Sequence, residues 1–501
     1  MANIEDLPDE VLEFILTLLS PYQDLHDCLL VCKRWRRCVH NVVKSRRINL
    51  NKCISKFNVK WTCLTAPENN PTISKRYSHA AAVHGNVMYI FGGCTCSMTT
   101  FNDLWKFDLS TREWKRPLAT GTYPSPKACS SLVYYNNQLV LYGGWSYPPS
   151  YPLYQSWHLF DELHIYDINK NHWKSITTGY PPPPVAGHSV SIIDKWMIVF
   201  GGLAKNDSFL EGEKTNDVWR LDLEDWIWNK PEIDGKKPES RFGQTQVILD
   251  NKNIFIIGGS GGSNANYGDA WVLNMSNDVW KWIPVEIRGK VNKPGNLWSN
   301  QGCKVGDKIV VLHKVLTDTA FPMNISRSSP GYRGNTANNS ARIDLANRQP
   351  DLDENINGRR GSLRVPNRDN AAGNNRNTHS PSAPFADVER EKRDHGVRMN
   401  DRRFQQDMFR KAKDADKKNK NYLGLYVLDL KHVLDDKPYV TWLTPKTFNK
   451  GPEETILYTL VQGNSEIIMF GGIQNDTSSI DKLNNEISNS IYIISATDRI
   501  I

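Results

Sequence analysis

The chain has 501 residues, 39% of them hydrophobic, with 16 tryptophans and a net charge of +8. That apolar content suffices for a large packed core and excludes a chain that is disordered throughout. No apolar run approaches the roughly 20 residues of a membrane helix; Met1 to Glu10 is polar and acidic rather than a secretory leader, and the nine cysteines are scattered without a CxxC pair, unlike a disulfide framework or zinc site.

Residues 4–48 read as a small helical unit. Pro8 suits a first helical turn, Asp9 and Glu10 complement its dipole, and Leu7, Val11, Ile15, Leu18 and Leu19 recur at helical spacing until Ser20-Pro21. A second apolar set follows in Leu25, Leu29, Leu30, Val31, Cys32 and Trp35. About forty-five residues cannot bury this much apolar surface alone, so a partner surface is expected. Residues 28–60 hold ten Lys and Arg and no acid. Without aromatic interleaving or a nucleic-acid fold signature, these charges read as a solvated helix face, and no nucleic-acid partner is expected. Residues 49–60 read as a basic linker.

From Trp61 the pattern changes to β repeats. VMYIFGG (87–93), LVLYGG (139–144), WMIVFGG (196–202), IFIIGG (254–259) and IIMFGG (467–472) are short β-branched and aromatic runs ending in a glycine pair. The first glycines lie 51, 58 and 57 residues apart from 92 to 258, and KIVVLHK (308–314) is a degenerate copy with His313-Lys314 in place of the glycines. The period is that of four-stranded propeller blades. Each copy has an inner strand before it and two strands after it, the fourth carrying tryptophan, as in NDLWKFDLSTREWKRP. The sixth repeat ends at NSIYIISATDRII without a fourth strand; NVKWTCLTAPENN (58–70) supplies it from the front, with Trp61 to Leu64 closing the ring.

Residues 315–421 interrupt the fifth repeat. Only sixteen of these 107 residues are Phe, Trp, Tyr, Ile, Leu or Val, too few to offset ordering entropy, so disorder is expected. Ser329, Ser362 and Ser380 lie there in short patterns that resemble kinase targets. The expected organisation is therefore 1–48 helical, 49–60 linker, 61–314 propeller, 315–421 disordered insertion and 422–501 propeller.

No nucleophile with a base, paired carboxylates or phosphate loop stands out, and neither metal nor cofactor is expected. His79 and His188 sit in inner strands where Ser130 and Gln244 replace them in other repeats, as structural histidines would. Recognition remains. Arg76, Lys127 and Arg241 open inner strands, and Trp145, Tyr147, Tyr151, Tyr154, Trp157, Phe160 and Trp298 lie in or beside the loops. Together they predict a partner-binding face on which fixed cations favour an acidic or phosphorylated segment.

LPDEVL, the leucine-rich run after it and LLVCKRW resemble the F-box motif, and with the glycine-pair repeats the whole chain apart from the insertion is similar to the F-box/kelch proteins. The resemblance implies an all-β six-bladed kelch β-propeller with an N-terminal three-helix F-box and a long disordered insertion in the fifth blade. It further implies a non-enzymatic substrate receptor of a Skp, cullin and F-box ubiquitin ligase, cytoplasmic or nuclear and without a membrane partner. Leu7, Pro8, Ile15, Leu19, Val31, Cys32 and Trp35 would dock on the Skp adaptor, and a tumour-suppressor transcription factor is among the substrates proposed for relatives. A non-catalytic scaffold outside a ligase, or a kelch-fold sugar-modifying enzyme, would be the alternatives.

Overall fold

The computed structural model describes residues 4–64, 71–95, 97, 99–147, 157–204, 213–262, 265–295, 297–298, 301–315, 421–445, 451–474 and 486–497. Almost the whole predicted insertion, with Ser329, Ser362 and Ser380, lies outside the described residues, as do Tyr151 and Tyr154.

Three helices open the chain: α1 (Asp9–Leu16), α2 (Gln23–Cys28) and α3 (Lys33–Ser55). Pro8 stands at the N-cap of α1, where its missing N–H costs nothing. The Cys32 sulfur accepts from the Trp35 amide to cap α3. Leu12 and Leu16 of α1 and Leu25 of α2 pack on Cys38, Val39 and Val42 of α3. The expected linker at 49–60 is corrected: α3 runs through it to Ser55, and a strand begins at Val59. The charges there cover only the outer face of the helix, while Leu50 and Ile54 keep the helical apolar spacing and are buried against the propeller with Phe57.

Among the described residues, six four-stranded antiparallel units follow in chain order, the first five as meanders; Thr120–Gly121 adds to the edge of the second, and the fourth and fifth join into one nine-stranded sheet through the parallel pairing of Glu286–Arg288 with Tyr439–Thr441. The first comprises Ala80–His84, Val87–Phe91, Leu104–Asp108 and Glu113–Lys115. The last comprises Thr459–Gln462, Glu466–Phe470 and Ile491–Ala496, completed by β1 (Val59–Leu64), which pairs with Ile491–Ala496 from Val59↔Ala496 to Leu64↔Ile491. The closing strand is therefore the segment its tryptophan marked. Neighbouring sheets bond around the ring: His79 to Thr459 at 2.8 Å, His188 to Ser131 at 3.0 Å, Gln244 to Ser189 at 2.8 Å, the Gly302 amide to Thr245 at 3.0 Å, and Tyr458 to the Leu312 carbonyl, on a second strand, at 2.8 Å. The Cys129 amide joins the second sheet to the first at the Ser78 carbonyl, 2.8 Å away.

The core lies in the junctions between sheets. The fourth-strand tryptophans Trp114, Trp173, Trp228, Trp282 and Trp442 each pack into the cluster shared with the preceding sheet. Trp61 does the same for the last sheet, against Leu312, Leu425 and Tyr458 of the fifth and sixth. The glycine pairs serve these junctions too. The Gly93 amide donates to the Lys127 carbonyl of the next sheet at 2.9 Å, and a Cβ on Gly92, at φ +66, would lie 2.3 Å from that same oxygen. At the ring closure the Gly472 amide donates to the Arg76 carbonyl at 3.0 Å. These glycines let neighbouring sheets approach to backbone contact.

Candidate functional site

The alternating strand directions place the glycine pairs and the starts of the inner strands at one end of the propeller, and the tight turns after the inner strands at the other. The helical unit docks at the turn end. Asn51 of α3 donates to Asp307 at 2.8 Å, Asn464 donates to the Pro21 carbonyl at 3.4 Å, and the Gln23 amide donates to Ser110 at 3.3 Å. Tyr22 is 1% exposed and packs among Met88, Ile90, Phe107, Ile468 and Phe470, across the seam between the last and first sheets. Its hydroxyl donates to Glu466, which also receives both Arg112 guanidinium nitrogens at 2.9 Å.

The helical unit also leaves several large apolar side chains uncovered. Asp9 takes Arg34 at 2.7 Å and Arg37 at 2.6 Å, which holds its carboxyl below the ordinary value and ties α1 to α3. Asn41 donates to Glu13 at 2.7 Å, and Arg46 donates to the Thr17 and Leu19 carbonyls at 2.7 Å. With α1 so fixed, Phe14 (53% exposed), Leu18 (64%), Leu30 (70%) and Val31 (60%) face solvent together with Ile4 and Val11. Of the residues singled out from sequence, Pro8, Val31 and Cys32 are exposed and Leu7 and Ile15 are half-buried. Leu19 and Trp35 are also partly buried, packed against the unit's own core. Sequence reading missed Phe14 as a surface residue, although its spacing from Val11 and Leu18 puts it on their side of the helix.

At the opposite end, the expected cationic anchors are corrected. Arg76, Lys127 and Arg241 are 0% exposed and each is held by an acid. Arg76 is bidentate to Asp103 (2.7 and 3.0 Å), donates to the Gly92 carbonyl at 2.9 Å and lies 4.3 Å from the Phe101 ring centre. Arg241 repeats this with Asp269 (2.7 and 2.9 Å), Gly258 (3.0 Å) and Tyr267 (4.5 Å). Lys127 reaches Glu162 at 2.7 Å above Phe160. Burial alone would raise the acids, but the paired cations outweigh it and hold Asp103, Glu162 and Asp269 below their usual range. Burial lowers the Lys127 ammonium, with Glu162 opposing. The third sheet has Val185 at the cation's position, and its acid, Asp217, pairs instead with Lys230 at 2.8 Å. These are struts within sheets, and the charge expected to draw an acidic ligand is neutralised in place.

The aromatics of this face are better placed for contact. Trp145 and Trp157 stack at 5.0 Å with 19° between their planes, and Tyr147 stands edge-on to Trp145 at 4.7 Å. Trp157 is 61% exposed. Trp298 lies apart from this group, edge-on to Phe242 at 6.1 Å, and Phe160 is buried beneath Lys127. Burial lowers both His79 and His188 to about 3, so they are neutral bridging residues between inner strands. Among the described residues no cluster of His, Cys, Asp and Glu could hold a metal ion.

Comparison with known proteins agrees with both ends. An F-box-like family model matches residues 4–50, and the model for the FBX42 beta-propeller domain matches residues 76–280. Kelch domain-containing protein 1 of Mus musculus is 26% identical over 227 residues, covering 41% of this chain and 54% of that protein. Kelch domain-containing protein 2 of Bos taurus is 28% identical over 217 residues, covering 39% and 51%. The dynein alpha chain of the flagellar outer arm of Chlamydomonas reinhardtii is 32% identical over 170 residues, 34% of this chain and 4% of that protein. The chain thus spans about half, or far less, of the length of these relatives. An F-box-like helical unit carrying a kelch-type propeller is an adaptor-type architecture, and the two family matches with the kelch relatives support an F-box/kelch protein of the FBX42 kind.

Proposed function

We propose that the protein is the substrate-recognition subunit of a Skp, cullin and F-box ubiquitin ligase, recruiting a protein substrate with the glycine-pair face of the propeller. The observation that carries this reading is the exposure of the apolar side chains Phe14, Leu18, Leu30 and Val31 on a helical unit docked at the end opposite that face. A helix groove on the adaptor would bury these side chains. The propeller would then present its other end to substrate, and ubiquitin transfer would follow from proximity, with the chemistry in other subunits. The aromatic group Trp145, Tyr147 and Trp157 supplies contact area for the substrate.

Co-purification from cells tests the reading. Phe14→Glu with Leu30→Glu abolishes recovery of both Skp adaptor and cullin from a variant that still melts like the parent. Recovery of both by that variant overturns the docking role, and adaptor without cullin from the parent points to a scaffold outside a ligase.

A further inference from the structure

The connection from the second to the third sheet runs Tyr180-Pro181-Pro182-Pro183-Pro184 into Val185, across the glycine-pair end of the propeller. Pro181, Pro182 and Pro183 each have φ set by their own ring and ψ set by the next proline, which confines them to the polyproline II helix of three residues per turn. Burial follows that period. Pro182 and Val185, three apart, are buried against the body; Tyr180 and Pro183 are exposed, as is Pro181, with Pro184 half-buried.

The fold accounts for Pro182, and for Pro184, which is half-buried and recurs as Pro126 before Lys127, but not for Pro181 or Pro183. Pro124 and Pro238 stand three residues before Lys127 and Arg241, as Pro182 stands before Val185, and all three are buried. The neighbouring connections carry Ser125 and Glu239 where this one has Pro183. Tyr180 is the sharper anomaly: it sits in the left-handed region at φ 52, which disfavours a bulky side chain, while its ring is 94% exposed. A backbone strained around a ring that lies in solvent points to use by something outside the fold.

We propose that Tyr180 to Pro184 is a docking ridge for a partner's proline-recognition domain, one whose aromatic-lined groove accepts a polyproline II helix. Pro182 and Val185 hold the ridge rigid, so little ordering entropy is lost on binding. Two of its three edges face outward, as such a groove requires, and Tyr180 adds a flanking aromatic anchor. This inference stands independently of the ligase reading.

The test titrates the purified full-length protein with a panel of isolated WW, SH3 and EVH1 domains. At least one domain binds, and Tyr180→Ala with Pro183→Ala weakens it by about tenfold or more. Tyr180→Gly, which relieves the backbone and removes only the ring, also weakens binding without lowering the melting temperature. Absence of binding by every domain, or equal binding by parent and double variant, overturns the proposal.

Discussion

Tyr22, in the F-box, donates its hydroxyl to Glu466, 444 positions later in the last sheet of the propeller, and Arg112 of the first sheet grips the same carboxylate. The contact sits on the seam that β1 closes, so the F-box staples the two sheets that meet there. Burial, with the Glu466 charge beside it, raises the phenol well above its ordinary value, and the hydroxyl remains the donor. Tyr22→Phe removes only the hydrogen bond and costs about 1 kcal/mol. Tyr22→Ala also empties the seam and costs about 3–5 kcal/mol. Urea unfolding of the two variants separates these terms, and equal losses would place the energy in the hydrogen bond alone.

Arg76 behaves as a buried strut. Arg76→Ala leaves Asp103 without its cation in a mostly covered site and destabilises the protein by about 3–5 kcal/mol. Arg241→Ala costs somewhat less, because Asp269 is 41% exposed and water can replace part of its partner. Chemical denaturation of the two variants ranks them; a neutral Arg76→Ala would mean the guanidinium faces solvent.

The glycine pairs can be separated from ordinary turn glycines. Gly85 has φ +58 but open space where its Cβ would lie, whereas a Cβ on Gly92 would meet the Lys127 carbonyl at 2.3 Å. Gly85→Ala therefore costs about 1 kcal/mol of backbone strain. Gly92→Ala adds a backbone collision at the sheet junction and costs several kcal/mol more than that. Differential scanning calorimetry of the pair checks the difference.

Acid sensitivity has two windows. His79 and His188 have folded values near 3, below the ordinary value of about 6.5, so their stabilising contribution is complete above pH 6.5 and is lost as pH falls through that value towards 3. Each contributes a slope of up to about 1.4 kcal/mol per pH unit there. Asp103, Glu162 and Asp269, also lowered, act in the lower window, where stability is lost as pH falls below the usual carboxylate range of about 4. His79→Gln, which copies Gln244 of the fourth sheet, makes the stability profile shallower between pH 6.5 and 4. An unchanged slope would show that His79 already titrates normally.

Trp157 is the exposed member of the aromatic group on the glycine-pair face. Trp157→Ala leaves the melting temperature within about 2 °C of the parent, since a surface change costs within about 0.5 kcal/mol. It lowers recovery of ubiquitin-bearing partners after proteasome inhibition several-fold. Undiminished recovery would count against the proposed substrate contact at this aromatic group.

Local pattern was enough to reveal the repeats, because a strand ending in paired glycines is a property of six or seven adjacent residues. The same local reading placed the closing strand, since Trp61 recurs in the context of the other fourth-strand tryptophans. What local pattern could not supply was the partner of each charge. Arg76 and Arg241 open strands beside loops, a position that reads as exposed, and their burial depends on carboxylates 27 and 28 residues on. Only the folded meander brings Asp103 and Asp269 back to them, where the Trp105 and Trp271 indoles donate to the same carboxylates at 2.7 Å. Likewise the basic stretch after residue 48 concealed a helix whose inner face, Leu50 and Ile54, acquires meaning only from the propeller wall it meets. Sequence periodicity determined the elements and their order; tertiary contact decided which charges are struts and how the F-box is held.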